Sequence, residues 1–245
     1  GRLLEKAYDF TVSAEKVGGV VDLELEQVSL GERLPSGQTG KRVAVSEVQV
    51  AMSRGLTFTV PASGRVAVVE PHGATRHLLA QVLAGHDLPD TGSIELDGVD
   101  TRRADLHELR SRVALVRPSG LFEGTLYENV AVGRPTVGPD QARAALHKVG
   151  LVDVLKGLPE GLETPLSAAG HPLSLDQQVQ VLVARAIAGK PRLIVVDDFF
   201  DALSPPAREA CVKAVAESGD HTLVAVCSEA SSELCKRCVR AEEQR

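Results

Sequence analysis

Aromatic side chains are scarce in this sequence: they make up 3% of 245 residues, and tryptophan is absent. Positive charge is not in excess either, since 27 Lys and Arg stand against 33 Asp and Glu for a formal net charge of −6. A surface that tracks a nucleic-acid strand needs basic residues and stacking rings, so a nucleic-acid partner is excluded. No apolar run reaches the roughly 18 residues that span a bilayer. The N-terminus lacks the basic and apolar regions of a signal peptide. Methionine occurs once, as Met52, and the chain starts at Gly1, which reads as a piece of something longer. Cysteine is limited to Cys211, Cys227, Cys235 and Cys238. The first two sit in apolar patterns and read as core or strand residues. Cys235 and Cys238 form a lone C-x-x-C with no second pair, so helical neighbours with reduced thiols are expected rather than a metal or redox site.

What is present is an ordinary globular mix, 43% hydrophobic and 24% charged. Residues 1–18 read as a short helix or linker. Residues 20–30 alternate apolar and polar, the pattern of a half-exposed strand. Residues 31–42 are rich in Gly, Ser and Pro and read as a loop. Residues 43–60 give two strand-like runs around Ser53, Arg54 and Gly55, a hairpin signal. The stretch 65–85 opens with an apolar run, turns tightly, and continues as an amphipathic helix. Residues 91–98 resemble another hairpin, 106–112 a short helix, and 112–116 a buried strand. Residues 120–190 are expected to be mostly helical, with breaks at 133–139, 157–161 and 167–172 and a strongly patterned helix at 177–188. Buried strands follow at 193–196 and 221–226, with a helix between them opened by Pro205 and Pro206. Strands alternating with helices argue for a parallel sheet in an α/β core.

The strand, tight turn and helix at 65–85 have the layout of a phosphate-binding loop. The pattern G-x-x-x-x-G-K-[ST] falls on Glu70, Thr75, Arg76 and His77, and all four differ from it. Gly73 and Ala74 lie between them. A carboxylate about 4 Å from a phosphate costs roughly 4 kcal/mol at an effective dielectric near 20, so Glu70 opposes a phosphate there. Thr75 adds a Cβ where a cradle wants backbone freedom. Arg76 keeps a positive charge without the shape of Lys. His77 offers imidazole where a hydroxyl would hold a hard magnesium ion. Glu70 and Arg76 are expected to pair across the cradle.

From about Val20 to Leu234 the chain resembles the nucleotide-binding domain of an ABC transporter, of the exporter type. The resemblance rests on the run Gly92-Ser-Ile-Glu-Leu-Asp-Gly-Val-Asp100, on Leu121-Phe-Glu-Gly-Thr-Leu-Tyr-Glu-Asn-Val130, on Leu158-Pro-Glu-Gly-Leu-Glu-Thr164, and on the strand at 193–196. It implies a P-loop NTPase (RecA-like) α/β core with a mostly parallel sheet, an antiparallel β subdomain and a helical subdomain at about 117–180. It also implies that residues 1–18 connect to a transmembrane domain and that 19–245 form the nucleotide-binding domain.

The resemblance assigns roles by position. Arg117 stands where the family has a Gln that reaches Mg²⁺ and the attacking water. Leu173, Ser174, Leu175, Asp176 and Gln177 stand at the signature "LSGGQ", with bulk and negative charge in place of its glycines. Ser174 followed three residues later by Gln177 also reads as a helix capping box. Asp197 matches the Mg²⁺ carboxylate, and Asp198 takes the place of the catalytic Glu, one methylene shorter. The D-loop falls on Asp201-Ala-Leu-Ser204 and the switch His on Ser228. No aromatic stands near Leu30 and Gly31, where adenine would stack.

Residues for strands and turns remain, while those facing phosphate, metal or water are mostly replaced. The expectation is therefore a degenerate nucleotide-binding domain with little or no ATP binding or hydrolysis, a structural or regulatory half of a transporter. Its cofactors by family are ATP and Mg²⁺. Its partners would be a transmembrane domain, received at residues 121–125, and a second nucleotide-binding domain, at the cytoplasmic face of the cell membrane. Two alternatives are a divergent active ATPase that uses Arg76 and Asp198, and a pseudo-ATPase scaffold without a membrane partner.

Overall fold

The runs at 66–68, 193–196 and 223–226 are apolar without alternation, which places them inside a sheet covered on both faces. The computed structural model describes residues 31–36, 42–50, 55–117, 120–197, 203–228 and 238–240. In it, β3 (Arg65–Val69), β6 (Val113–Val116), β9 (Leu193–Asp197), β10 (Thr222–Cys227) and β11 (Cys238–Arg240) form one sheet in the order β11-β3-β10-β9-β6. Every pairing in it is parallel. β9 and β10 are buried at each residue.

The two faces of that sheet close two separate cores. Leu193, Val195, Val224 and Val226 point to one, and Ile194, Val196, Leu223 and Ala225 to the other, the period-two alternation of a pleated strand. The first core is covered by helix α1 (Gly73–Leu83) and by a second, antiparallel sheet. That sheet has the order β2-β1-β4-β5, from β1 (Val43–Gln49), β2 (Leu56–Val60), β4 (Thr91–Leu96) and β5 (Val99–Asp100). Asp97 and Gly98, at φ 55° and 85°, make the β4–β5 turn, a hairpin in which both central residues are left-handed.

The second core is helical. It is built from α3 (Leu126–Ala131), α4 (Pro139–Lys148), α6 (Leu175–Ala188) and α7 (Pro205–Glu217), while α2 (Leu106–Arg112) packs on the first core through Leu109. A short helix, α5 (Val152–Gly157), and the strand pair β7 (Gly124–Thr125) and β8 (Pro165–Leu166) complete this side. The sequence reading missed that pair because each strand is two residues long, too short for any periodicity. Pro139 and Pro205 each open their helix, where a missing N–H costs nothing.

The strands and helices read from the sequence at 43–60, 65–85, 91–98, 106–116, 193–196 and 205–226 are present. The C-x-x-C reading is corrected: Cys238 begins a strand rather than continuing a helix, and Cys235 lies outside the described residues. Cys211 and Cys227 are buried free thiols, as read. The readings of residues 1–18 and 20–30 fall outside the described residues. Among the described residues no helix is long and apolar enough to cross a membrane.

Candidate functional site

Parallel strands bring their C-terminal ends to one edge of the sheet, which is where ligands bind in open α/β folds. Val69 pairs with Cys227, Val226 with Asp197, and Val196 with Val116. Glu70, Ser228, Asp197 and Arg117 therefore end or follow adjacent strands along that edge. Asp198 lies outside the described residues. Ser228 is half-buried directly after β10.

The loop between β3 and α1 is short. Helix α1 begins at Gly73, so Ala74, Thr75, Arg76 and His77 already belong to its first turns, and Glu70, Pro71 and His72 alone make the connection. The Glu70 amide extends the β3 ladder by donating to the Cys227 carbonyl at 2.8 Å. The Arg76 amide donates to the His72 carbonyl at 2.8 Å, which commits it to the helix. The expectation that Thr75 needs special backbone freedom is corrected: it is a buried helical residue without a left-handed φ.

Glu70 is 3% exposed. Its carboxylate accepts the His72 backbone N–H at 2.9 Å and lies 3.1 Å from His72 Nδ1. His72 is the N-cap of α1, so the chain's own carboxylate sits at the positive end of the helix dipole, the place that attracts an anion. The expected Glu70–Arg76 ion pair is absent. Arg76 instead donates from Nη1 to the backbone carbonyl of Glu70 at 3.4 Å, and its Nε is buried without a partner. Glu70 is taken by the nearer His72, a residue that sequence reasoning passed over although it stands two positions away.

Asp197 ends β9 and is 3% exposed. His77, on the facing turn of α1, hydrogen-bonds Asp197 Oδ2 through Nδ1. Asp197 Oδ1 is buried with no partner. His77 thus holds the buried Asp197 carboxylate.

At the signature position Leu173 is buried, and Ser174 and Gln177 form the capping box read from the sequence. The Ser174 hydroxyl oxygen accepts the Gln177 amide at 3.3 Å, and Gln177 Oε1 accepts the Ser174 amide at 2.9 Å. Leu175 is 79% exposed. Asp176 accepts the hydroxyl of Ser204, at the N-cap of α7, and its Oδ1 lies 3.4 Å from the Ser204 amide. The signature carboxylate is spent on tying α6 to the start of α7.

Arg117 follows β6 and is exposed. It lines a cavity of about 390 Å³ with Arg110, Arg134 and Arg185. The Leu121–Thr125 stretch beside it is fixed by Asn129, which is wholly buried. Asn129 Nδ2 donates to the carbonyls of Phe122 and Thr125 at 2.9 and 3.1 Å, and its Oδ1 accepts the Phe122 amide at 3.1 Å.

Comparison with known proteins gives one family. The profile described as ABC transporter matches residues 53–201. The mycobactin import ATP-binding/permease protein of Mycolicibacterium thermoresistibile is 33% identical over 162 residues, 66% of this chain and 28% of that protein. Heavy metal tolerance factor 1 of Caenorhabditis elegans is 27% identical over 234 residues, 91% of this chain and 29% of that protein. A fatty acid ABC transporter ATP-binding/permease protein of Mycobacterium tuberculosis is 31% identical over 193 residues, 76% and 30% of the two chains. The chain therefore spans under a third of the length of these relatives. Among solved structures, a bacterial Atm1-family ABC exporter with ATP bound superposes at a TM-score of 0.72, with 24% identity over 89% of this chain and 40% of that one.

Proposed function

The chain belongs to the ABC transporter family, as an exporter-type nucleotide-binding domain, and from that premise we propose that its nucleotide site is degenerate. The domain acts as the structural or regulatory half of a transporter, with little or no binding or hydrolysis of ATP. The observation that carries this reading is the His77–Asp197 hydrogen bond. A magnesium ion would need that carboxylate and a hydroxyl in place of the imidazole, and imidazole is a poor ligand for so hard a cation. The buried Glu70 carboxylate supports the same reading, because it already occupies the helix N-terminus and would repel a phosphate. The residues present do not fit a magnesium nucleotide, and no chemical step is derived through one.

Residues 1–18 then serve as the connector from a transmembrane domain, and 19–245 as the nucleotide-binding domain with its helical subdomain at about 117–180. The transmembrane partner docks on the surface around Phe122, which is 39% exposed, and a second nucleotide-binding domain faces the signature end of α6. The assembly works at the cytoplasmic face of the membrane. Phosphate release from Mg-ATP tests the loss of hydrolysis. The parent chain and Asp198→Asn are expected to show the same background rate. A parent rate that Asp198→Asn abolishes would establish a divergent active ATPase in its place.

A further inference from the structure

The molecule is acidic overall, yet the cavity of about 390 Å³ between the edge strand β6 and helix α6 has no acidic residue in its lining. That volume falls in the range of about 300–1,000 Å³ that small-molecule sites occupy. Arg110 and His86 line it but are engaged with other groups, so its charge comes from Arg117, Arg134 and Arg185. Arg134 and Arg185 are half-buried and fixed in the wall. Arg134 donates from Nε and Nη2 to the carbonyls of Ala131, Val130 and Arg185 at 2.6–3.0 Å. Arg185 donates to the carbonyls of Asn129 and Gly120 at 2.6 and 2.7 Å and to Asn129 Oδ1 at 3.1 Å. Among the described residues these acceptors are all neutral amide oxygens. A helix C-terminus carries about half a negative charge, so the ends of α3 and α6 offset the guanidinium groups only in part. Burial, with Arg134⁺ and Arg117⁺ nearby, pushes Arg185 down to about 10, so it stays cationic at neutral pH.

The rest of the lining is apolar and includes Val113, Leu115, Val132 and Leu182. Val132 is 46% exposed and takes φ 48° and ψ 47°, a left-handed conformation that a β-branched residue rarely adopts. A residue held against its backbone preference at the rim of a cavity is a mark of ligand sites. A lining that is part cationic and part apolar fits a ligand with one charged end and an apolar body. We infer that this cavity is a binding site for a small organic anion, whose carboxylate or phosphate head meets Arg117 and Arg185 while its apolar body lies on Leu115, Val132 and Leu182. Guanidinium groups take either head in the same two-pronged way. The inference does not depend on the state of the nucleotide loop.

The test uses the whole chain and four probes in ligand-observed NMR titrations: 2-naphthoate, 2-naphthyl phosphate, the neutral 2-naphthamide and inorganic phosphate. At least one of the naphthyl anions is expected to bind at least about tenfold tighter than both the amide and inorganic phosphate. Which anion is tighter identifies the head group. Arg117→Gln, at an exposed position, is expected to weaken that anion severalfold. Val132→Gly is expected to do the same, because it removes the apolar side chain where glycine adopts the backbone freely. Thermal melts check that both variants are folded, and either gives the reading if the other is not. An amide as tight as the anions would leave only an apolar patch, and inorganic phosphate as tight would leave only a basic surface; both overturn the inference. So would no binding of any probe, or binding indifferent to both variants. With both variants folded, a loss in Arg117→Gln alone would place the anion at the C-terminal edge of the sheet, and a loss in Val132→Gly alone would remove the recognition of charge; each contradicts the cavity as the site.

Discussion

Glu70 and Asp197 are buried carboxylates at the ends of β3 and β9, on either side of β10, and a histidine meets each. A buried carboxylate without a partner is costly, so each calls for a resident donor. His72 and His77 supply it, each through Nδ1, with side chains 78% and 51% exposed. A third histidine behaves differently. His221, just before β10, is 5% exposed with Nε2 buried and unpartnered. Burial, and then the Arg65 cation, hold its pKa below the ordinary 6.5. The unfolded chain therefore binds that proton more readily than the folded one. Its stabilising effect is complete above about pH 6.5 and is lost as pH falls toward the lowered folded value, by up to about 1.4 kcal/mol per pH unit. Urea midpoints measured from pH 7.5 to 5 are expected to fall more steeply in the parent than in His221→Gln; parallel curves would remove His221 from the acid response.

The loop–helix junction at 120–131 shows how one buried amide organises an element. Asn129 satisfies Phe122, Thr125 and Arg185 at once, and Thr125 with Glu128 caps α3. Asn129→Leu keeps the volume but strands these groups, so it is expected to destabilise the domain by about 2–4 kcal/mol and to expose the 121–125 segment to proteolysis. Chemical denaturation checks the first and limited digestion the second. The capping box at Ser174 was legible in the sequence because its bonds span three residues. The buried strands were legible because their apolar runs leave no exposed face. The Asn129–Arg185 bond, the Asp176–Ser204 bond and the arginine cavity were not, because their members are 28 or more residues apart or come from separate elements. The Glu70–Arg76 pairing failed for a nearer reason: charge suggested the partner, but the short loop placed His72 against Glu70 first.

At the scale of the whole molecule, the fold keeps what packing requires. The parallel sheet separates two cores, and Val66 and Val68 of β3 and the aliphatic residues of β9 and β10 are buried in them. Strand interiors and strand ends answer to different constraints, so the proposed loss of nucleotide chemistry is compatible with the family's architecture. The central claim is that the edge of this sheet is closed by the chain's own side chains, His72 on Glu70 and His77 on Asp197. The most direct measurement is calorimetric titration of the chain with Mg-ATP. The account predicts no saturable heat up to about millimolar nucleotide, the weak limit of about −4 kcal/mol in binding free energy. Saturable binding with a micromolar Kd would contradict it.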